Sequence, residues 1–419
     1  MRMIISDVNL IDGTGSGLQP FVHLVIEDDQ LVEVLSSDLP QEMGNTKVMN
    51  GNGRWALPGL FDLHVHIATW HGQPDVDRYK TYQPAKAAVL GAKRIHQTLM
   101  GGVTTLRDLG TAHGVAIALK EAIEKGQLMG SRILPSDKII CVTGGHGHDV
   151  EGMSREADGP DDVRQAVREQ LRAGADLIKI CNTHRAPLSE FTQEELQAIV
   201  SEAHRNGVLV ACHVGIEPGY QMAVRAGIDT VEHGNLPSDE TIALMAERGT
   251  YWVPTVSVSR GLIDGERANM TVEQVREAVK ERVEKREVSR RKSKFGIQYM
   301  TESFRRSPEV FQKMREAGVL IACGTDVDAS QDREGALPMD AAKNEMKWFV
   351  RFGMTPEEAI VAATATSARA AGIGDWVGTL KKGKVADIIL LERDPLDDID
   401  AIDTVSAVIK EGVIVRDDA

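Results

Sequence analysis

No run of apolar residues in this chain approaches the roughly 18 that a membrane-spanning helix needs. The first residues, Met-Arg-Met-Ile-Ile-Ser-Asp-Val-Asn, turn polar before the apolar centre of a signal peptide could form. A cytoplasmic location is therefore the expectation, with no membrane partner. Basic charge is also in deficit. Lys and Arg total 48 against 62 Asp and Glu, a formal net charge of −14. That balance is poor footing for a phosphate backbone and argues against nucleic acid as a partner. Cysteine is scarce and dispersed: Cys141, Cys181, Cys212 and Cys323 contain no Cys-x-x-Cys, so a disulfide framework has no support. The four read as small buried fillers with reduced thiols. Soft metal ligation is the alternative, because all four stand near the ends of candidate strands that carry polar residues. Internal repeats and low-complexity stretches are missing too.

Strand and helix patterns alternate from Gly59 to about Arg369. Strand candidates lie at 60–66, 103–108, 132–142, 176–181, 208–214, 230–233, 251–256 and 319–326. Helical stretches at 161–173, 193–205, 238–248 and 308–317 lie between them. Eight strands with interleaved helices predict an α/β chain folded as a (β/α)8 TIM-like barrel, whose active site lies at the C-terminal strand ends. A doubly wound open sheet shares the alternation but should carry a phosphate-binding glycine fingerprint after an early strand. Gly144-Gly145-His146-Gly147 does not have that spacing. Thr192 with Glu195, and Thr355 with Glu358, are capping boxes, and Pro356 stands where a first helical residue belongs.

Both ends of the chain read as short strands and turns, too short for comfortable cores of their own. Pairing them resolves that. Residues 1–57 and 373–419 are expected to form one composite β-sandwich beside a barrel of residues 58–372. The segment 259–308 interrupts the alternation. Val272, Val275, Val279 and Val283 give it a narrow apolar stripe, so a helix with one buried edge is expected. It would stand over the barrel mouth as a rim helix, a lid or a homo-oligomer contact.

Six residues carry the chemistry: His64, His66, Lys179, His213, His233 and Asp326, each at the end of a strand candidate. Residues two apart on a strand share a face, so His64 and His66 can grip one metal together. Ile178 and Ile180 face outward, which places Lys179 inside the barrel. A buried ammonium is costly. Lys179 either pairs with a buried acid, Asp176 or Asp326, or loses its proton and adds carbon dioxide as a carbamate that bridges two metals. Four imidazoles, one carboxylate and such a lysine can hold two divalent ions, and such a pair makes hydroxide at neutral pH. Asp326 can take a proton during attack and pass it to a leaving nitrogen, or simply cap the next helix.

At this point the chain resembles the amidohydrolase superfamily, in its Xaa-Pro dipeptidase-like and imidazolonepropionase-like subgroup. The match rests on Leu-Pro-Gly-Leu-Phe-Asp-Leu-His-Val-His ending at His66, Gly-Val-Thr-Thr-Leu-Arg-Asp ending at Asp108 and Gly-Ala-Asp-Leu-Ile-Lys ending at Lys179. Gly-Ile-Asp-Thr-Val-Glu-His-Gly ending at Gly234, Gly324-Thr325-Asp326 and the tail from Gly378 to Asp387 complete it. The resemblance implies one metal on His64, His66 and Asp326, a second on His213 and His233, and carboxylated Lys179 between them, with zinc as the expected metal. It places His146 near a substrate carbonyl or carboxylate and Tyr220 on the terminal carboxylate. A loop histidine and a packed helix-edge tyrosine are the simpler readings of those two. His71, His113, His184 and Arg185 rank lower as pocket residues. The deaminase branch lacks such a lysine, and its extra glutamate between the later ligands is not evident. The expected substrate is small or dipeptide-like: a dipeptide or N-acyl amino acid with a free carboxylate, or alternatively a cyclic amide, urea or carbamate. An inactive scaffold should have lost ligands, and all six are kept.

Overall fold

The computed structural model describes residues 1–36, 45–68, 83–148, 152–183, 189–234, 236–257, 290–328 and 341–418, with the side chains of 290–300 excepted. The residues 259–289 of the interrupting segment lie outside that set, as do His71, His184 and Arg185. Among the described residues, no helix is long and apolar enough to cross a membrane.

Among the described residues, three sheets organise the chain. A mixed eight-stranded sheet draws on both ends, Arg2–Ile11 to Trp55–Pro58 from the first and Ile388–Leu391 to Val413–Asp417 from the second. Trp55–Pro58 and Ile388–Leu391 pair antiparallel, from Trp55 opposite Leu391 to Pro58 opposite Ile388. Met3, Ile5, Leu24, Ile388 and Ile409 pack into its core. A four-stranded parallel sheet has the order Val327–Asp328, Leu60–His66, Val103–Asp108, Arg132–Pro135. A six-stranded parallel sheet runs Ser154–Glu156, Ile139–Cys141, Leu177–Cys181, Leu209–Val214, Thr230–His233, Tyr251–Val253. Main-chain bonds link the two parallel sheets at both edges. Asp176 N–H donates to the Pro135 carbonyl at 2.8 Å. On the other side, Ala322 N–H reaches the Trp252 carbonyl at 2.9 Å and Leu63 N–H reaches that of Cys323 at 2.9 Å.

Helices between the strands follow their local signals. Thr192 and Glu195 cap Gln193–Arg205 reciprocally, as do Thr355 and Glu358 at Pro356–Val361. Each box satisfies two amides that a helix end otherwise leaves open.

Three expectations need correction. The 132–142 strand divides into Arg132–Pro135 and Ile139–Cys141, with Asp137 between them at φ 57°, a left-handed backbone that interrupts a pleat. The 319–326 segment is not a strand. It touches its neighbours through single bonds and one bridge from Ile321 to Trp252, and Asp326 at φ 57° turns out of the extended path. The helix expected to begin at Pro308 runs through it instead, as Arg290–Glu316. A proline there cannot donate to the Phe304 carbonyl; Ser307 Oγ does so, at 3.1 Å.

Candidate active site

The expected site residues converge at the strand ends. His64 and His66 close the Leu60–His66 strand with Val65 turned outward into the helix-facing core. Asp326 Oδ1 lies 3.5 Å from His64 Nε2 and 3.3 Å from His66 Nε2. Asp326 therefore faces the histidines. The His64 and His233 rings stand 4.8 Å apart, those of His233 and His213 4.6 Å, and His146 stacks on His213 at 4.4 Å. The donor atoms of His64, His66 and Asp326 lie within 4.8 Å of one another, and so do those of His146, Cys181 and His213. Burial pushes the Cys181 thiol well up, so it stays protonated as part of a small apolar cluster with Cys141, Ile139 and Met153.

Lys179 is 2% exposed, and its Nζ makes no hydrogen bond among the described residues. Leu177 packs inward against Leu109 and Ala211, while Ile178 and Ile180 join the outer core. The lysine thus points inward, among the imidazoles. Neither acid offered as its partner takes it: Asp176 binds Lys120 Nζ at 2.6 and 2.7 Å, and Asp326 faces His64 and His66.

Ring orientation is set from behind. His66 Nδ1 lies 2.9 Å from the Gly110 carbonyl oxygen, which can only accept, so Nδ1 carries the proton. His64 Nδ1 is 2.9 Å from Glu232 Oε2, and His233 Nδ1 is 2.7 Å from Thr255 Oγ1. A proton on Nδ1 of His66 and of His64 leaves Nε2 with its lone pair toward the shared space, the arrangement a metal-binding histidine needs, while at His233 the Thr255 hydroxyl can accept from Nδ1–H or donate to it. Burial pushes His64 down to about 3 and His233 down to about 4, which keeps both neutral at physiological pH. Burial acts against Asp326 ionising, yet His64, His66 and His233 hold it well below the usual carboxylate range. The donor set, with a buried amine that makes no hydrogen bond among the described residues, fits divalent metal ions.

The amidohydrolase family model matches residues 55–415. The chain belongs to the amidohydrolase family. It is 30% identical to an ochratoxinase of Aspergillus niger, over 93% of this chain and 81% of that protein. It is 23% identical to an imidazolonepropionase of Geobacillus sp. (strain WCH70), over 88% of this chain and 82% of that one. A crystal structure of a Xaa-Pro dipeptidase with bound methionine in the active site superposes with a TM-score of 0.83 and 29% identity, covering 99% of this chain and 100% of the other. The likeness implies a TIM-barrel-like α/β fold. This amidohydrolase is a hydrolase acting on carbon–nitrogen bonds, in a family that generally uses metal ions.

The remaining expected residues fall at different depths. His146 reaches the site from the loop after Ile139–Cys141, its N–H held by Glu190 Oε2 at 3.1 Å. Tyr220 is fully buried on the helix Gly219–Ala226, its hydroxyl packed against the backbone of Gly234, the residue after His233. A Cβ at Gly234 would come within 2.5 Å of that hydroxyl, and φ there is +63°, so only glycine fits without strain. His113 is exposed on a 3-10 turn, packed over Gly152.

Several functional neighbours were missed in the sequence. Glu232 is fully buried between His64 and Arg107, whose guanidinium donates to Oε1 at 2.7 Å. That pairing, against the pull of burial, holds Glu232 below the usual carboxylate range. Asp62 accepts from Thr325 Oγ1 at 2.6 Å, from Thr325 N–H at 3.0 Å and from His64 N–H at 3.2 Å, tying the two strand ends together. The signal was adjacency, since Asp62 and Glu232 each stand within two residues of a motif histidine. Alternation conceals the roles, however. His233 pairs in register with Val214, which faces the outer core, whereas Glu232 pairs with His213. A regular strand would bury Glu232 inward and turn His233 out. A left-handed φ of 67° brings His233 back to the site, and Trp252 Nε1–H fixes its carbonyl. Asp326 uses the same device. Such conformations cluster at functional sites because they must be held by their surroundings.

Proposed function

We propose that this chain is a binuclear metal-dependent amidohydrolase that cleaves the amide bond of dipeptides or N-acyl amino acids with a free carboxylate. The observation that carries the reading is the buried amine of Lys179, which makes no hydrogen bond among the described residues and whose charge acts on His64 and His233. Addition of the neutral amine to carbon dioxide, with loss of a proton, gives a carbamate anion, a form that removes the cost of burying an ammonium. His64, His66 and Asp326 would hold one ion, His213 and His233 the other, with carboxylated Lys179 between; the imidazole-rich set suits zinc. Divalent ions at this position supply Lewis acidity and acidify water.

The chain's own groups do the rest. Asp326, held ionised, receives the proton of the attacking water and delivers it to the leaving nitrogen. His146, stacked on His213, hydrogen-bonds the substrate carbonyl. Tyr220 secures the substrate carboxylate through its hydroxyl, which packs beside Gly234. The edge bonds at Asp176–Pro135 and Cys323–Leu63 support closure of the two parallel sheets into a (β/α)8 barrel of residues 58–372, with 1–57 and 373–419 as the composite β-sandwich. The likeness to a Xaa-Pro dipeptidase over nearly the full chain supports a dipeptide-like substrate.

A substrate panel with the zinc-loaded protein tests the reading. Turnover is expected on dipeptides or N-acyl amino acids, and on their C-terminal amides only at much higher concentration. Hydrolysis of cyclic amides, ureas or carbamates with none of any dipeptide or N-acyl amino acid would replace it with the ring-opening or urea-cleaving alternative.

A further inference from the structure

Glu345 lies in the first turn of the helix Ala342–Arg351 and is fully buried. Both of its oxygens serve the main chain that follows the strand Tyr251–Val253. Oε1 accepts from Val256 N–H at 2.7 Å and Oε2 accepts from Ser257 N–H at 2.7 Å. The residue before this pair is Thr255, 1% exposed, with φ 49°. A β-branched side chain strongly disfavours that left-handed conformation, so something must hold it. The hydroxyl of Thr255 is the group 2.7 Å from His233 Nδ1.

We infer that Glu345 is a positioning residue for His233: by clamping the 256 and 257 amides it locks Thr255 in its left-handed turn, with the hydroxyl at the Nδ1 edge of the ring. The inference deepens the proposed function, resting on His233 as a metal ligand. A carboxylate suits this task where other side chains do not. It offers two oxygens in one plane, which match two successive amide N–H groups, and in its ionised form it carries no donor. Burial lifts its pKa to about 8, and the two amides and Ser257 act against that shift. Anchoring the helix alone would not require contact with the loop that carries Thr255. The chain of contacts therefore runs from a helix remote in sequence to the tautomer of one imidazole. When the Thr255 hydroxyl accepts from Nδ1–H, Nε2 is left free to bind.

Histidine-15N spectra of the full-length, metal-free protein test this, with the His233 signals assigned by their loss in His233→Gln. In the wild type the ring is expected as the single Nδ1–H tautomer. Glu345→Gln keeps size but sets an amide NH2 against one backbone N–H, and should convert His233 to a mixture of tautomers. Thr255→Val should do the same, while Thr255→Ser should retain the wild-type signal. After zinc loading, Glu345→Gln and Thr255→Val should each weaken retention of one ion by about tenfold or more, and the double variant should be no worse than either. If Glu345→Gln does not fold, Glu345→Asp, too short to reach both amides, carries the same expectation. A folded Glu345 variant with lowered Tm but an unchanged His233 tautomer would overturn the inference and leave the carboxylate as a packing anchor. A wild type that binds no metal, with the tautomer response intact, would instead overturn the proposed function and leave the clamp standing.

Discussion

The Nδ1 of His64 lies 2.9 Å from Glu232 Oε2, while the other oxygen of the same carboxylate takes the Arg107 guanidinium at 2.7 Å. One buried acid thus orients a candidate ligand on the Leu60–His66 strand of the four-stranded sheet from a strand of the six-stranded sheet. Thr230 Oγ1 adds a bond to Oε1 at 2.6 Å, so the acid has no freedom to follow the ring if the ring moves.

Glu232→Gln should therefore loosen metal retention without changing the fold. The glutamine oxygen can still accept from His64, but Arg107 loses its counter-charge. Loss of a carboxylate behind a metal-binding histidine costs about 10–100-fold in affinity. Metal content after graded dialysis, beside a circular dichroism spectrum, measures this. Glu232→Ala should cost about 3–5 kcal/mol of stability, because it strands a buried guanidinium. Unchanged metal retention in a folded Glu232→Gln protein would show that His64 needs no such support.

Lys179→Ala should lose at least one metal ion and nearly all turnover. A short carboxylic acid or bicarbonate should restore part of the activity by occupying the vacated space with an anion. Lys179→Arg should not respond, since its fixed charge repels cations. Elemental analysis and rescue kinetics decide the matter. Wild-type metal content in soluble Lys179→Ala protein would end the carbamate assignment and the binuclear mechanism with it.

Tyr220→Phe separates carboxylate capture from packing. If its hydroxyl holds the substrate acid, KM should rise strongly for a free-acid substrate and little for the matching amide. Equal losses on the two substrates would make Tyr220 a structural residue whose hydroxyl merely packs on Gly234.

Acid should destabilise the metal-free protein through its histidines. His64 and His233 are lowered by burial from an ordinary 6.5 to about 3 and about 4. Their stabilisation is complete above pH 6.5 and is lost as pH falls through those lower values. Asp62, lifted by burial to about 7, acts with the opposite sign and gains stability as pH drops. The informative quantity is therefore a difference. The decline in Tm between pH 6.5 and 4 should be steeper in the wild type than in His64→Gln. Parallel curves would mean that His64 is protonated as readily in the fold as in the unfolded chain.

Much of this was readable from one dimension. Apolar alternation around Lys179 placed its side chain inward, because a β-strand sends successive residues to opposite faces whatever its neighbours are. The His-x-His pair shares a face for the same reason, and the capping boxes at Thr192 and Thr355 act within four residues. Properties that depend on short-range geometry follow from local order. Tertiary structure alone decided what crosses between strands. Whether Lys179 had an acid for a partner depended on Lys120 having already taken Asp176. That Glu232 serves His64 depended on strands separated by 168 positions in sequence. His233 and Asp326 reach the site only through left-handed residues, which break the alternation a sequence reading relies on. Such conformations are unfavourable locally and persist only because distant groups hold them, Trp252 on the His233 carbonyl and the His64 carbonyl on the Asp326 amide. No pattern within a strand records those partners, since they come together only when the sheets assemble.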